Sequence, residues 1–270
     1  MDLLASVLRR PVATDDKYSR GVVGFVTGSK EFPGAAILGV TAAIRTGVGM
    51  VRWLGPESVG RMLIEVRPEV VLQNGRVQCW VLGSGISADV HGDQFENVAK
   101  ALSETGFAVL DAGALELANF EELKCQAILT PHAGELERLL SRFAAKLSRA
   151  EIEAEPETAA KLAARMTGQV VLLKGNVTTI ADPAGVSWQT PPTTPALATA
   201  GSGDVLAGII GALVAANFGP LRSHEIELSQ IALAGALLHS KAGSIAAQDG
   251  PVAALDIAEA VRAVVGEYLA

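Results

Sequence analysis

LATAGSGDVLAGIIGALVAA, residues 197–216, joins a glycine-punctuated turn to a long apolar helix. Gly201 and Gly203 let the backbone fold tightly, so N–H groups of Gly201, Ser202 and Gly203 can converge on one oxyanion as an anion hole. The start of the helix adds partial positive charge at the same place. Asp204 then stands beside bound phosphate, an odd position for a carboxylate unless it handles a proton. Within reach of a substrate hydroxyl, it can take that proton as the oxygen attacks phosphorus. The plain alternative is a helix-capping acid after a flexible loop. The helix behind it is apolar on every side, which implies burial and favours the functional reading.

Outward from this stretch, short β-rich runs alternate with Ala-rich helical patterns. Strands are predicted over 21–27, 50–54, 79–82, 108–110, 127–129 and 170–173, with a hairpin of 177–181 and 186–188 about the Asp182–Gly185 turn. Helices are predicted over 34–46, 89–104, 133–143, 157–166, 204–216, 226–247 and 256–269. Such alternation predicts an α/β fold with a mainly parallel central sheet and helices on both faces. No 20–50-residue repeat and no Pro/Ser-rich linker divides the chain, so residues 1–270 read as one domain, with 1–16 a loosely ordered or helical extension.

In open α/β sheets ligands gather beyond the carboxyl ends of the strands, and three further junctions there carry unusual residues. Lys174-Gly175 follows the apolar run VVLL; the Lys can reach a diphosphate or can simply end the strand at the surface. Thr130-Pro131-His132-Ala133-Gly134-Glu135 follows AIL, and His132 falls at a helix start, where ligand contact and a structural role are equally open. Glu135 suits the positive end of that helix. Pro33-Gly34-Ala35-Ala36 pairs with Gly83-Ser84-Gly85; small residues there leave room for something flat, or permit tight helix–strand packing. Asp111 ends the strand AVLD as a second cleft acid or a helix cap, and His239 reads as a satisfied core histidine. No GxxxxGK[ST] run, no strand followed by GxGxxG and no metal-ligand spacing occurs.

The totals narrow the partners. A net charge of -7 without a Lys/Arg cluster disfavours nucleic acid and anionic membranes. The longest apolar run, 205–216, is shorter than the roughly 20 residues that span a bilayer. No signal peptide is apparent, and the two cysteines lie beside apolar stretches like buried thiols, so a cytoplasmic protein is expected.

Taken in order, these pieces resemble one family. KYSRGVVGFVTGSKEFPGAAILGVTAAIRTGVGMV (17–51), LGSGI (82–86), VLDAGAL (109–115), ILTPHAGELERLL (128–140), VVLLKGNVT (170–178), LATAGSGDVLAGIIGALVA (197–215) and ALAGALLHSKAG (232–243) are similar to the ADP-dependent NAD(P)H-hydrate dehydratases. The resemblance implies a ribokinase-like fold and a kinase site turned to repair. ADP phosphorylates the ring hydroxyl of hydrated NADH or NADPH, and phosphate then leaves to give NAD(P)H, AMP and phosphate. It implies Asp204 as base, Gly201, Ser202 and Gly203 around the phosphoryl oxygens, and Lys174, Gly175, Asn176, Val177, Thr178 and Gly203 on the nucleotide. Ala35, Ala36, Gly85, His132 and Asp204 would line the hydrated cofactor. Mg²⁺ would be carried by the phosphates and water. A homo-oligomer is implied, a tetramer favoured, with a separate NAD(P)H-hydrate epimerase as functional partner.

The chain departs from the family pattern at Ser84 and Ser87, at Gly113, where a second acid is usual, and at Ala200. Two rival readings are a ribokinase-like alcohol kinase and a non-catalytic nucleotide-binding protein. Related vitamin kinases generally carry Cys at the position of Asp204, and the intact Asp204 argues against lost turnover.

Overall fold

Val22–Val26, buried at every residue, forms strand β1 and pairs in parallel on both sides, with β2 (Met50–Trp53) and β3 (Cys79–Leu82). The structure, a computed structural model, describes residues 2–270. The sheet continues through β4 (Phe107–Leu110), β5 (Gln126–Leu129), β6 (Val170–Leu173), β7 (Thr179–Ala181) and β8 (Ser187–Gln189). Its order is β2-β1-β3-β4-β5-β6-β7-β8; β1 to β6 run parallel, and β7 and β8 are antiparallel additions at one edge. Runs such as VVGFV and FAVL are apolar throughout because both faces of a parallel sheet are covered.

Among the described residues twelve α-helices accompany it: α1 (Leu3–Val7), α2 (Gly34–Thr46), α3 (Glu57–Val66), α4 (Asp93–Ser103), α5 (Gly113–Leu117), α6 (Ala133–Ser141), α7 (Arg149–Ala154), α8 (Pro156–Thr167), α9 (Ser202–Ala216), α10 (Phe218–Arg222), α11 (Leu228–Ala246) and α12 (Ala254–Leu269). Alternate strand residues divide between two cores. Val23, Phe25, Val81 and Val109 pack with α2, α9, α11 and α12, whereas Val26, Leu82, Leu110 and Leu129 pack with α4, α6 and α8. The α/β layering expected from the sequence is the layering found. In the extension, α1 seats Leu4 and Val7 in the first core.

One packing detail positions the site. A Cβ on Gly208 would lie 2.1 Å from the Gly39 carbonyl oxygen, so α2 and α9 meet backbone to backbone. That contact holds the starts of both helices together at the carboxyl end of the sheet, because Gly39 also lies against the Asp204 carbonyl. Twelve of the fifteen residues of α9 are buried, as its apolar sequence requires.

Candidate active site

Gly201 is the N-cap of α9 and adopts φ +90°, a left-handed turn that an L side chain resists. A Cβ there would also lie 2.4 Å from Leu38 Cδ1, so both conformation and space call for glycine. The turn leaves the amides of Gly201, Gly203 and Asp204 without an acceptor among the described residues, whereas the Ser202 amide, expected in the anion hole, donates to the Thr199 carbonyl oxygen at 3.3 Å. They are the orphan donors of a helix start, and they open a ready anion site. Ser202 is buried, and its hydroxyl lies 3.1 Å from His239 Nε2.

Asp204 occupies the third position of α9 and makes no side-chain cap, so the capping alternative fails. Its carboxylate accepts no hydrogen bond among the described residues. Burial first, and then the negative charge of Asp111, push its pKa up to about 7, with Lys174 pulling in the opposite direction. An unpartnered acid titrating near neutrality beside open amides is suited to moving a proton.

Lys174 ends β6, where its N–H donates to the Pro131 carbonyl oxygen at 2.8 Å. Its ammonium lies 2.8 Å from Asp111 Oδ1 and 3.5 Å from Glu135 Oε2. Burial presses the lysine toward its neutral form, but the two carboxylates outweigh it and hold its pKa above the ordinary value. The same ammonium reaches over α9, since a Cβ on Gly203 would stand 3.5 Å from it. A charge of +1 therefore hangs beside the open amides.

Asp111 is neither a helix cap nor a solvent contact. It is buried, accepts from Ser84 Oγ and Thr130 Oγ1 at 2.9 Å each, and grips Lys174. Glu135 caps its own helix by accepting from the His132 amide, as its position predicts, and also faces Lys174. His132 has the structural role: Nδ1 accepts from the amides of Gly134 and Glu135 at the start of α6, while the half-exposed ring borders the cavity. The weight of Asp111, Glu135 and His239 is invisible locally, because each has an ordinary structural reading until the strand ends converge.

Two cavities open near the carboxyl ends of the strands, and only the smaller touches the turn. One of about 430 Å³ is lined by His132, Lys174, Thr178, Leu197, Ser202 and Leu206, with His239 at its wall. Gly175 and Asn176 are exposed on its rim, and the loop after β8 is tied there by a hydrogen bond from the Thr193 amide to the Asn176 carbonyl oxygen. The other, about 1020 Å³, opens beyond β1, β2 and β3 between Ser29, Lys30, Glu57, Ser87, His91 and Gln94. The junction of Ala35, Ala36 and Gly85 is packed rather than roomy. Ala36 is fully buried, and a Cβ on Gly85 would lie 2.6 Å from the Ala35 methyl. Those residues can offer a ligand backbone and shape, not side-chain surface. Gly113 is equally constrained: a Cβ would fall 2.3 Å from the Ile86 carbonyl oxygen.

Known proteins match this arrangement. A bifunctional NAD(P)H-hydrate repair enzyme of Corynebacterium glutamicum is 35% identical over 288 residues, which cover 94% of this chain and 48% of that protein. An ADP-dependent (S)-NAD(P)H-hydrate dehydratase of Xanthomonas campestris is 31% identical, with 86% of this chain and 83% of that one aligned. The chain spans about half the length of the bifunctional curated relatives it matches. In fold it is similar to the Bacillus subtilis ADP/ATP-dependent NAD(P)H-hydrate dehydratase crystallised with ATP and Mg²⁺ (TM-score 0.84, 24% identity, 98% of this chain and 96% of that one). A ribokinase-like protein of Enterococcus faecalis superposes with TM-score 0.82 at 23% identity over 99% of this chain and 94% of that one, so the fold is ribokinase-like. The sequence profile of the NAD(P)H-hydrate dehydratases matches residues 23–263, nearly the whole chain, and the protein belongs to that family.

Proposed function

We propose that this chain performs the ADP-dependent dehydration of the S-epimer of hydrated NADH or NADPH. The observation that carries the reading is Asp204: half-buried, without a side-chain hydrogen-bond partner among the described residues, set in the first turn of an open helix start beside Lys174, with its pKa pushed up to about 7. The 430 Å³ cavity suits a nucleoside diphosphate, with apolar Leu197 and Leu206 for the base and Lys174, Ser202 and Gly203 for the phosphates. The larger cavity has the volume for part of a dinucleotide, but none of Ala35, Ala36, Gly85, His132 and Asp204 lines it, and His132 borders the smaller cavity instead.

In this reading Asp204 removes the proton of the ring hydroxyl as its oxygen attacks the terminal phosphorus of ADP, and AMP leaves with the bridging oxygen. The amides of Gly203 and Asp204, with the ammonium of Lys174, face the charge that gathers on the transferring group. Phosphate then departs from carbon with the C–O electron pair, aided by the ring nitrogen, and loss of the neighbouring proton restores the double bond. Phosphorylation is needed because hydroxide leaves carbon poorly and phosphate leaves well.

Asp111 and Glu135 are both turned to Lys174, and no cluster of three metal-binding side chains occurs among the described residues. The residues therefore fit a Mg²⁺ carried by the diphosphate rather than caged by the protein. When bound, such an ion neutralises charge on the phosphates. No helix among the described residues is long and apolar enough to cross a membrane, in keeping with the cytoplasmic reading. An NAD(P)H-hydrate epimerase is the natural functional partner, a reading supported by relatives named as bifunctional repair enzymes.

Protein supplied with ADP, Mg²⁺ and hydrated NADH should regain the absorbance of reduced nicotinamide and release AMP and phosphate in equal amounts. Asp204→Asn should lose that turnover while keeping its affinity for AMP; undiminished turnover removes Asp204 from the role. Phosphorylation of a thiazole or pyrimidine alcohol in its place would make the chain a kinase. Adenylate binding with no turnover of either kind would leave a non-catalytic nucleotide-binding protein.

A further inference from the structure

His239 enters the site from α11, an element with no part in the reaction as drawn above. It is 7% exposed, lies against the 430 Å³ cavity, and its one side-chain hydrogen bond among the described residues joins Nε2 to Ser202 Oγ at 3.1 Å. Burial depresses its pKa to about 4, opposed by the Ser202 backbone and reinforced by the charge of Lys174, so the ring is neutral near pH 7. A histidine kept only for volume in an apolar helix would have no reason to meet the one hydroxyl at the mouth of α9.

The hydroxyl of Ser202 has a single proton and faces two candidate partners: the imidazole on one side and an incoming phosphoryl oxygen on the other. If the imidazole accepted that proton, the serine would turn only lone pairs toward an anion. If the imidazole donates from Nε2, the serine proton is released toward the phosphoryl group, and the donation strengthens it as a donor. A neutral ring in the Nε2–H form achieves this without adding a charge that would compete with Lys174 for the phosphates.

We propose that His239 is a positioning residue that donates to Ser202 and aims the serine hydroxyl at the phosphoryl group in flight. The inference rests on the phosphoryl-transfer reading of the site. It gives α11 a function and makes Ser202 a directed donor rather than a spacer between two glycines.

The test is a double-mutant cycle on the dehydration assay with Ser202→Ala, His239→Leu and the pair, plus His239→Gln to restore a donor. Ser202→Ala should lower kcat by about 10²-fold, as loss of an oxyanion donor does, with KM for the hydrate nearly unchanged. His239→Leu should lower kcat by about tenfold or more in the parent and by nothing further once Ser202 is alanine. His239→Gln should recover most of the loss. Losses that multiply in the pair, or a glutamine variant no better than leucine, would overturn the proposal and make His239 structural. Should a variant fail to fold, nitrogen NMR of the unmodified protein decides. One neutral, Nε2-protonated ring from pH 5.5 to 8 is expected, and an Nδ1-protonated ring refutes the assignment. Absence of turnover in the unmodified protein would instead sink the dehydratase reading, which the ring's tautomer does not address.

Discussion

At Asp204 the electrostatics make a signed demand on rate. The base works ionised, so kcat/KM should rise with pH through about 7 and flatten above it. Asp111→Asn removes a like charge and should move that midpoint down, while Lys174→Met removes an attracting charge and should move it up. A pH profile of each variant checks the pair; a midpoint indifferent to both substitutions means another group is titrating. Stability carries the opposite sign. The carboxyl ionises near 3.8 in an unfolded chain and near 7 in the folded one, so the native state holds the extra proton between these values. Stability therefore falls as pH climbs from about 4 to 7. Asp204→Asn should then melt above the parent at pH 8, by roughly 2–4 °C for each 1 kcal/mol relieved, and the difference should close toward pH 4. The acid expected to act is thus one whose removal strengthens the fold. Its candidacy was legible in the sequence because Gly-Ser-Gly-Asp before an apolar helix is a local signal. Asp111 and His239 carry no such signal, since a strand-ending acid and a helix histidine acquire meaning only from residues 63 and 37 positions away.

Among elements, α2 and α9 matter most, because their contact is backbone on backbone. Gly208→Ala would press a methyl 2.1 Å from the Gly39 carbonyl oxygen and force the helices apart. Overpacking of this kind costs about 1–3 kcal/mol, or roughly 2–12 °C in a domain of this size. It should also lower kcat, since Asp204 moves with α9. Gly34→Ala, at the start of α2 with nothing within 4 Å, is the control and should leave both almost unchanged. Thermal melts with steady-state rates on the two variants make the comparison, and equal melting temperatures would refute the close-packing account. The departures at Ser84, Ser87 and Gly113 also become one feature at this scale. The loop after β3 runs so close to Gly113 that a second acid there would meet its backbone, so the missing carboxylate and the altered loop go together. Periodicity found α2, α9 and most strands within a few residues. It missed α3, although ESVGRMLIEV buries Val59, Gly60 and Leu63 on one helical face; Gly60 and the β-branched residues obscured that spacing, and Gly60 packs against Trp53 and Leu72, 3.2 Å from a Cβ at that position. It also missed α5, α7 and α10, of five, six and five residues, too short to show a period.

Across the whole molecule the two cavities lie at different stations along the carboxyl edge of one sheet. Lys174 leaves β6, and the larger cavity opens beyond β1, β2 and β3. From β6 to β1 are four strand steps, about 19 Å at the usual spacing. On the proposed reading this separation would let two adenylate-bearing ligands be held at once, as a reaction between ADP and a dinucleotide demands. Melting with ligand tests this without turnover. ADP at about 100 times its Kd should add about 2.7 kcal/mol of stability, and NADH, the product, should add its own increment independently. With both present the shifts should sum, and Lys174→Met should erase the ADP shift while sparing the NADH shift. If the combined shift merely equals the larger single one, both ligands compete for one cavity, and the division of the cleft into a nucleotide lobe and a hydrated-cofactor lobe is wrong.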